Sequence, residues 1–211
     1  MKGKLIIISS PSGGGKGTLI KEMLATIPDL GYSVSLTTRT PRFGEENGKH
    51  YHFVTREKFE EEVRTGGFLE YAEVHGNMYG TSLRQIEKVT ESGKDIILEI
   101  DVQGAAAVLE KAPDAVSIFI LPPSFETLRA RLIARATEGD EDIEVRLRNS
   151  INEVRQYERF KYAVVNDELS FAARKLAAVI LAERQLTDRQ TAAISGILDS
   201  FVEAKHQTTG D

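Results

Sequence analysis

The fold is decided by the segment Leu5–Thr18, which reads LIIISSPSGGGKGT. Residues Lys4–Ser9 form a short, largely apolar run without polar alternation, which predicts a strand buried on both faces. A glycine-rich turn, Ser10–Gly15, follows. Lys16–Ile27 then carries apolar residues at helical spacing and ends just before Pro28, which predicts a helix. A strand, a glycine-rich turn, a lysine and a helix in this order indicate a loop that binds phosphate groups.

The residue types of this loop suit a nucleoside triphosphate. Glycines leave room for backbone N–H groups to converge on phosphate oxygens, and the helix N-terminus adds the positive end of a dipole. Lys16 places a positive charge at the β- and γ-phosphates. The alternative is a glycine-rich turn that carries a lysine by chance. The predicted ATP-binding residues of the loop are Ser10, Pro11, Ser12, Gly13, Gly14, Gly15, Lys16, Gly17 and Thr18.

Two positions depart from the usual phosphate-loop motif. Ser10 stands where the motif has its first glycine, and Gly17 stands where it has the hydroxyl that binds Mg²⁺. Thr18 carries the nearest hydroxyl. We therefore assign no direct metal ligand, and we expect Mg²⁺ to be held by ATP and by water, near Thr18 and Glu99.

The rest of the chain alternates strand and helix patterns. Further strands are predicted at Asp95–Asp101, Ala115–Leu121 and Tyr162–Val165. Helices are predicted at Ala105–Lys111, Phe125–Arg135, Ile143–Phe160 and Phe171–Gln185. This alternation indicates an α/β fold of the P-loop NTPase type, in which helices flank a parallel sheet.

Residues 33–81 interrupt this alternation. They hold short strand-like pieces and one helical pattern, at Ser33–Thr38, His50–Phe53, Phe68–Val74 and, for the helix, Arg56–Arg64. Many turn residues separate these pieces. The segment is therefore predicted to be an inserted α/β lobe.

Length and composition exclude several classes of protein. A chain of 211 residues is long enough for one sizeable domain. The net charge of −5 argues against general binding of nucleic acid, and the absence of cysteine excludes disulfides and thiolate chemistry. No apolar run is long enough for a bilayer, and the N-terminus does not read as a signal peptide. We expect a cytoplasmic protein without membrane or nucleic-acid partners.

A second group of residues suits a second phosphate. Arg39 and Arg42 lie three residues apart beside Pro41, which holds the segment extended or turned. Two guanidinium groups in a rigid loop bind phosphate well, and the hydroxyls of Tyr51 and Tyr79 can donate hydrogen bonds to an anion. Each feature alone is also typical of a solvated surface or of packing. A phosphate loop in the same chain favours the second phosphate site.

Five stretches extend this argument to a family: Ser35–Arg42, Gly48–Phe53, Phe68–Glu70, Gly76–Thr81 and Glu99–Gly104. In these stretches, and in their order over residues 3–183, the chain resembles guanylate kinases. The resemblance implies ATP-dependent phosphorylation of GMP to GDP. It also implies a core (about 1–33, 91–126 and 158–186), a GMP-binding lobe (about 34–90), a helical lid (about 127–157) and a C-terminal helix and tail (187–211).

The resemblance assigns roles to the acceptor residues. It implies that Arg39, Arg42, Tyr51 and Tyr79 bind the GMP phosphate, and that Ser35, Glu70, Thr81 and Asp101 recognise guanine. The chemistry of Glu70 agrees, because guanine presents N1–H and the 2-amino group as adjacent donors that one carboxylate accepts. Adenine presents an acceptor at N1 and would be repelled.

The remaining candidates lie at a strand end and in an arginine-rich region. Glu99 and Asp101 are two residues apart, so they are predicted to share a strand face and to orient Mg²⁺ waters or the acceptor; the alternative is that they face solvent. The resemblance implies that Arg135 and Arg146 are lid arginines, catalytic together with Lys16 and Arg39, although an exposed face of ion pairs also explains arginines here. It implies that Asn166 contacts adenine on the ATP side, where a helix N-cap is the alternative.

Two other functions stay open at this point. One is a kinase for another nucleoside monophosphate, and the other is a catalytically inactive guanylate-kinase-like module that binds proteins. The chain keeps Lys16, Arg39, Arg42 and Asp101, which favours an active enzyme. A last helix is predicted from a cap at Thr187 to about residue 204. Its apolar stripe can pack on the chain's own core or form a homo-oligomer, and it consists of Ile194, Ile197, Leu198, Phe201 and Val202.

Overall fold

The structure is a computed structural model, and it describes residues 2–74, 76–134 and 140–208. Arg135, which the sequence places at the donor site, lies outside the described residues. The described strands are β1 (Leu5–Ser9), β2 (Leu30–Tyr32), β3 (Leu36–Thr37), β4 (His52–Phe53), β5 (Phe68–Val74), β6 (Asn77–Ser82), β7 (Asp95–Glu99), β8 (Val116–Leu121) and β9 (Tyr162–Val165). The described helices are α1 (Lys16–Leu24), α2 (Arg56–Arg64), α3 (Leu83–Glu91), α4 (Val102–Lys111), α5 (Phe125–Ala134), α6 (Asp140–Val154), α7 (Leu169–Arg184) and α8 (Thr191–Thr208).

Five strands form a parallel sheet in the order β2-β7-β1-β8-β9. Its centre is β1, whose side chains alternate between two apolar clusters. Ile6 and Ile8 pack with α1 and α7 on one face, and Ile7 packs with α3 and α4 on the other. Because both faces are covered, residues 5–8 of β1 are all apolar, as the sequence predicted, and Ser9 ends the strand. The predicted α/β class with helices flanking a parallel sheet is confirmed.

A second sheet of four strands, in the order β4-β3-β6-β5, comes from residues inserted between β2 and β7. The ring of Phe59, from α2, is fully buried and stacks on Phe68 with 4.5 Å between centroids. Gly80 passes directly beneath these rings, since a Cβ there would lie 2.8 Å from the Phe68 ring. This packing holds the insert together beside the carboxyl end of the main sheet.

Several element boundaries differ from the predictions for clear physical reasons. The strand predicted at Asp95–Asp101 ends at Glu99, because Asp101 is the N-cap of α4 and its side chain accepts from Gly104 N–H at 2.7 Å. The final helix was predicted from a cap at Thr187. The structure places Thr187–Arg189 in a 3-10 helix, and α8 begins at Thr191. Within the described residues, no helix is long and apolar enough to span a membrane.

Candidate active site

The phosphate loop joins β1 to α1 in a conformation that needs glycine. Gly13 and Gly15 both have φ near +84°, in the left-handed region. A Cβ on Gly13 would lie 2.9 Å from Leu132 Cγ, and one on Gly15 would lie 2.5 Å from the Asn166 amide. Gly15 is also the N-cap of α1, and no side chain of the described residues caps this helix end. The first N–H groups of α1 can therefore bind an anion.

Lys16 lies where three acidic side chains converge. Its ammonium donates to the carbonyl of Ile100 at 2.7 Å. Burial lowers the pKa of Lys16 from its usual value, and the negative charges of Glu99, Asp101 and Glu153 oppose that shift. The lysine is thus a cation held between the end of β7, the start of α4 and α6, directly beside the phosphate loop.

A cavity of about 390 Å³ opens on this side of the loop, between the main sheet and the inserted sheet. The structure brings together seven residues that the sequence singled out for substrates or metal, and all of them line the cavity: Lys16, Ser35, Tyr51, Glu70, Tyr79, Glu99 and Asp101. The other lining residues are Tyr32, Ser33, His50, Ala72, Gly80, Ile100 and Gly104. These side chains come from both sheets, so the cavity exists only because the insert folds over the end of β7.

Glu70 is the half-buried carboxylate of this cavity. The fully buried Thr81 hydroxyl donates to Glu70 Oε1 at 2.6 Å, while Oε2 faces the start of α4. Burial raises the pKa of Glu70, with the nearby charge of Asp101 acting in the same direction, whereas Thr81 and Lys111 oppose the shift. Thr81 fixes one oxygen, which leaves a polar edge that can accept hydrogen bonds from a planar ligand.

The two predicted phosphate arginines differ in their surroundings. Arg39 donates through one amino group to both oxygens of Glu45, at 2.8 and 2.9 Å, and its guanidinium lies 5.5 Å from the centroid of the Tyr51 ring. Arg42 is exposed, although its backbone N–H also donates to Glu45, at 2.7 Å. Neither arginine is among the residues that line the cavity. Sequence reasoning missed Glu45. Arg39, Arg42 and Glu45 follow one another at intervals of three residues, and this spacing could have indicated that Glu45 lies close to the two arginines.

A smaller pocket of about 270 Å³ lies on the opposite side of the loop. It is lined by Gly13, Gly15, Thr18, Arg131, Ala134, Asn166 and Leu169. The side chain of Asn166 is buried and donates to Gly14 O at 3.0 Å, so the residue does not cap a helix. Arg131 donates to Gly14 O at 3.4 Å and to Asn166 O at 2.9 Å. Arg131 is a second residue that sequence reasoning did not select, because it is one of several arginines in the same segment.

Helix α6 carries Arg146 and contacts the loop at Ser12. Arg146 Nε donates to the Ser12 hydroxyl at 3.0 Å, and the carboxylate of Glu153 accepts from the Ser12 N–H at 2.9 Å. Ser10 and Pro11 are buried beneath the loop, and Ser10 Oγ donates to Pro11 O at 3.0 Å. The residues predicted to bind ATP, within the described part of the chain, thus lie in or beside one loop. Glu153, which was not predicted, lies beside the same loop.

The acids near the loop do not form a preformed metal site. Among the described residues, no group of three or more His, Cys, Asp or Glu side chains is arranged to hold a metal ion. Glu99 accepts from the Tyr32 hydroxyl at 2.9 Å and lies 3.4 Å from where a Cβ of Gly17 would be. A carboxylate in this position, beside the start of α1, suits a cation that arrives already bound to phosphate and water.

Comparison with known proteins identifies the family. The family model described as "Guanylate kinase" matches residues 2–183. The chain belongs to the guanylate kinase family. The guanylate kinase of Clostridium perfringens is 45% identical over 210 residues, which are 100% of this chain and 96% of that protein. That of Neisseria meningitidis is 48% identical over 199 residues, covering 94% of this chain and 97% of that protein.

Solved structures agree with this membership. The crystal structure of guanylate kinase from Anaplasma phagocytophilum superposes with a TM-score of 0.70 at 34% identity, covering 89% of each chain. The structure of TT1252 from Thermus thermophilus shares the fold, with a TM-score of 0.51 at 15% identity. The resemblance noted in the five sequence stretches is therefore confirmed, and the cavity between the sheets is the candidate active site of a guanylate kinase family member.

Proposed function

We propose that this chain transfers the γ-phosphate of ATP to GMP, giving ADP and GDP. The observation that carries this proposal is the position of Lys16, on a phosphate loop with one cavity on either side. One cavity presents a carboxylate suited to guanine, and the other is bounded by the loop itself. Relatives that match over almost the whole chain are named guanylate kinases, which favours an active enzyme over an inactive protein-binding module.

On the donor side, we assign the ATP phosphates to the loop residues 10–18 and the adenine to the smaller pocket. The free N–H groups at the start of α1 and the ammonium of Lys16 would neutralise the phosphates. Asn166 and Arg131 hold the loop backbone at Gly14 O, and they border the pocket where adenine would lie.

On the acceptor side, we assign guanine to Glu70 and its neighbours. The free edge of Glu70 would accept N1–H and the 2-amino group of the base, with Ser35, Thr81 and Asp101 completing the contacts. The GMP phosphate would lie near Tyr51 and Tyr79, whose rings are in contact with 5.9 Å between centroids. Arg39 and Arg42 would supply the positive charge there, and Arg39 is already held beside Tyr51 by Glu45.

The transfer itself requires alignment and charge neutralisation. A phosphate oxygen of GMP forms a bond to the γ-phosphorus as the bond from that phosphorus to the β–γ bridging oxygen breaks, and ADP leaves with the electron pair. Lys16 and Arg39 act from the described site, and Arg146 lies on the Ser12 side of the loop. We propose that Arg135 joins them as a second lid arginine.

We propose Mg²⁺ as the metal that accompanies ATP, since the carboxylate of Glu99 beside the start of α1 fits a hydrated ion bound to the nucleotide. Glu99 would hold its waters, with Thr18 as the nearest hydroxyl of the loop. When bound, Mg²⁺ would neutralise charge on the phosphate oxygens.

We also propose a division of the chain by role. The inserted segment, residues 34–90, would be the GMP-binding lobe, and residues 127–157 would be a lid that closes over ATP, between core segments 1–33, 91–126 and 158–186. Closure would exclude water and so suppress hydrolysis of ATP. A cytoplasmic location fits enzymes that use free nucleotides, and the net charge of −5 argues against a nucleic-acid partner.

We propose that α8 joins two copies of the chain. Its apolar stripe remains exposed, from 37% at Ile194 to 70% at Phe201. One stripe on each copy is self-complementary about a two-fold axis. Sedimentation should show a dimer that Phe201→Glu dissociates and that Ala192→Glu, an exposed position on the opposite face of α8, does not. A monomeric wild-type chain would overturn the proposal.

The proposed reaction is tested by a coupled assay with ATP, Mg²⁺ and each of GMP, AMP, CMP and UMP. We expect turnover of GMP well above that of the other three, and loss of it by orders of magnitude in Lys16→Ala. Preference for another monophosphate would overturn the substrate assignment. Binding of GMP without turnover would support the inactive module instead.

A further inference from the structure

Helix α6 contacts a single residue of the phosphate loop through two separate groups. Glu153 Oε2 accepts from the backbone N–H of Ser12 at 2.9 Å, and Arg146 Nε donates to the Ser12 hydroxyl at 3.0 Å. The two α6 residues are seven positions apart, which is about two helical turns, so they project from the same side of the helix. Both the main chain and the side chain of Ser12 are therefore engaged by one helix.

The rest of the loop is held from the opposite side. Asn166 and Arg131 both donate to Gly14 O, and Gly14 N–H donates to Pro11 O at 2.9 Å. On its α6 side, the loop backbone is held at the N–H of Ser12, which donates to Glu153. The backbone of the loop is thus fastened at Ser12 and at Gly14, by side chains from different parts of the chain.

The contact also fixes the place of Arg146. Leu147 of α6 packs with Leu128 and Leu132 of α5, and Leu132 in turn lies against Gly13. This apolar packing brings α6 near the loop but does not orient a guanidinium. Glu153 is one end of the two-point contact between α6 and Ser12, and Arg146 is the other.

We propose that Glu153 is a positioning residue for phosphoryl transfer: by accepting the Ser12 N–H it docks α6 on the phosphate loop and so places Arg146 beside the transferred group. Glu153 itself would not touch either substrate. The inference rests on the proposed transfer from ATP to GMP. It adds a residue to that site because a charged group stabilises a transition state only when it is already in place.

Charge offers a different explanation, since Glu153 also raises the pKa of Lys16 against the effect of burial, alongside Glu99 and Asp101. The two explanations separate in Glu153→Gln. Its amide carbonyl can still accept from the Ser12 N–H, whereas its negative charge is gone. Glu153→Ala removes both the bond and the charge, and Glu144→Ala removes an exposed carboxylate from the same helix.

The test measures kcat, the KM for ATP and the KM for GMP in these variants and in Arg146→Ala. We expect Glu153→Ala to lower kcat/KM for ATP about tenfold, the scale of one charge-assisted hydrogen bond, with an unchanged KM for GMP. Glu153→Gln should stay within about threefold of wild type, as should Glu144→Ala. Because Glu153 acts through Arg146, adding Glu153→Ala to Arg146→Ala should cause little further loss.

Four results would overturn the inference. Wild-type kinetics in Glu153→Ala would mean that the contact does nothing for transfer. An equal loss of kcat/KM in Glu153→Gln and Glu153→Ala would assign the effect to the charge of Glu153. Losses of kcat/KM that multiply in the double variant would mean that Glu153 does not act through Arg146. A fall in thermal midpoint with equal changes in both KM values would indicate a structural role only. Failure of the wild-type chain to phosphorylate GMP would refute the proposed function itself, and direct ATP titration of the same variants would still report on the loop.

Discussion

Glu70→Gln isolates the carboxylate that we assign to guanine. In the structure, Thr81 donates to Glu70 Oε1 at 2.6 Å, so the other oxygen is the one free to meet a base. A glutamine can keep the bond from Thr81 through its carbonyl oxygen. Its NH₂ group then points into the cavity, where guanine presents its own donors. The substitution therefore leaves the shape of the site intact and replaces one acceptor by a donor.

The magnitude follows from two contributions. Loss of one hydrogen bond to a charged group costs about 1.5–3 kcal/mol. The opposed donors add to this in a half-buried cavity, where water compensates poorly. A total of about 3 kcal/mol corresponds to a fall of roughly 100- to 200-fold in kcat/KM for GMP. AMP, whose N1 is an acceptor, should be used better by Glu70→Gln than by wild type.

The assay compares kcat/KM for GMP and AMP at saturating ATP. Glu73→Gln is the matched control, because Glu73 lies on the same strand and is exposed. It should stay within about twofold of wild type, as surface changes usually do. If Glu70→Gln phosphorylates GMP within about threefold of the wild-type rate, Glu70 does not read guanine and the base must be recognised elsewhere.

Three further predictions test other parts of the molecule. Burial raises the pKa of Glu70 above the ordinary glutamate value of 4.5, so this carboxylate takes up a proton sooner as the pH falls. We therefore expect kcat/KM for GMP to begin declining already above pH 4.5, and Glu70→Gln should lack that decline. Asp95 is 2% exposed, and its carboxylate accepts from Lys4 N–H, Arg184 and Arg189, each at 2.8 Å. Asp95→Asn should therefore lower the free energy of unfolding by about 3 kcal/mol at neutral pH, as measured by denaturant titration. Burial alone would raise the pKa of Asp95 but these bonds hold it below its usual value, so the difference between the two proteins should shrink as the pH falls through that lowered pKa. Gly13→Ala should weaken ATP binding in calorimetry, because the φ of +84° and the approach of Leu132 to 2.9 Å both oppose a Cβ.

Local sequence signals predicted the elements whose ends are marked by neighbouring residues in the sequence. The helix at Arg56–Arg64 was predicted with its observed bounds, and the Thr55 side chain accepts from Lys58 N–H as its cap. The strand Tyr162–Val165 was also predicted with its observed bounds. The loop between β1 and α1 was recognised for the same reason, since its glycines, lysine and helix start are consecutive in the chain.

Strand β2, helix α3 and the contact between Ser12 and Glu153 were missed, for different reasons. Strand β2 has three residues and exists by pairing with β7, so its sequence holds no period to detect. Helix α3 was missed although a signal was present: Ser82 accepts from Gln85 N–H, three residues later, in the pattern of a capping box. The bond from Ser12 to Glu153 spans 141 positions, and such a contact is visible only in the folded chain.

The departure at Gly17 from the usual phosphate-loop pattern lies beside Glu99 in the structure. Gly17 lacks the usual hydroxyl, and Glu99 is the last residue of β7. The carboxylate of Glu99 lies 3.4 Å from where a Cβ of Gly17 would be, so it extends into the space that a hydroxyl at residue 17 would fill. Tyr32 holds that carboxylate from the other side at 2.9 Å. Although residue 17 has no hydroxyl, an oxygen-bearing group therefore lies beside the start of α1, and it is the Glu99 carboxylate.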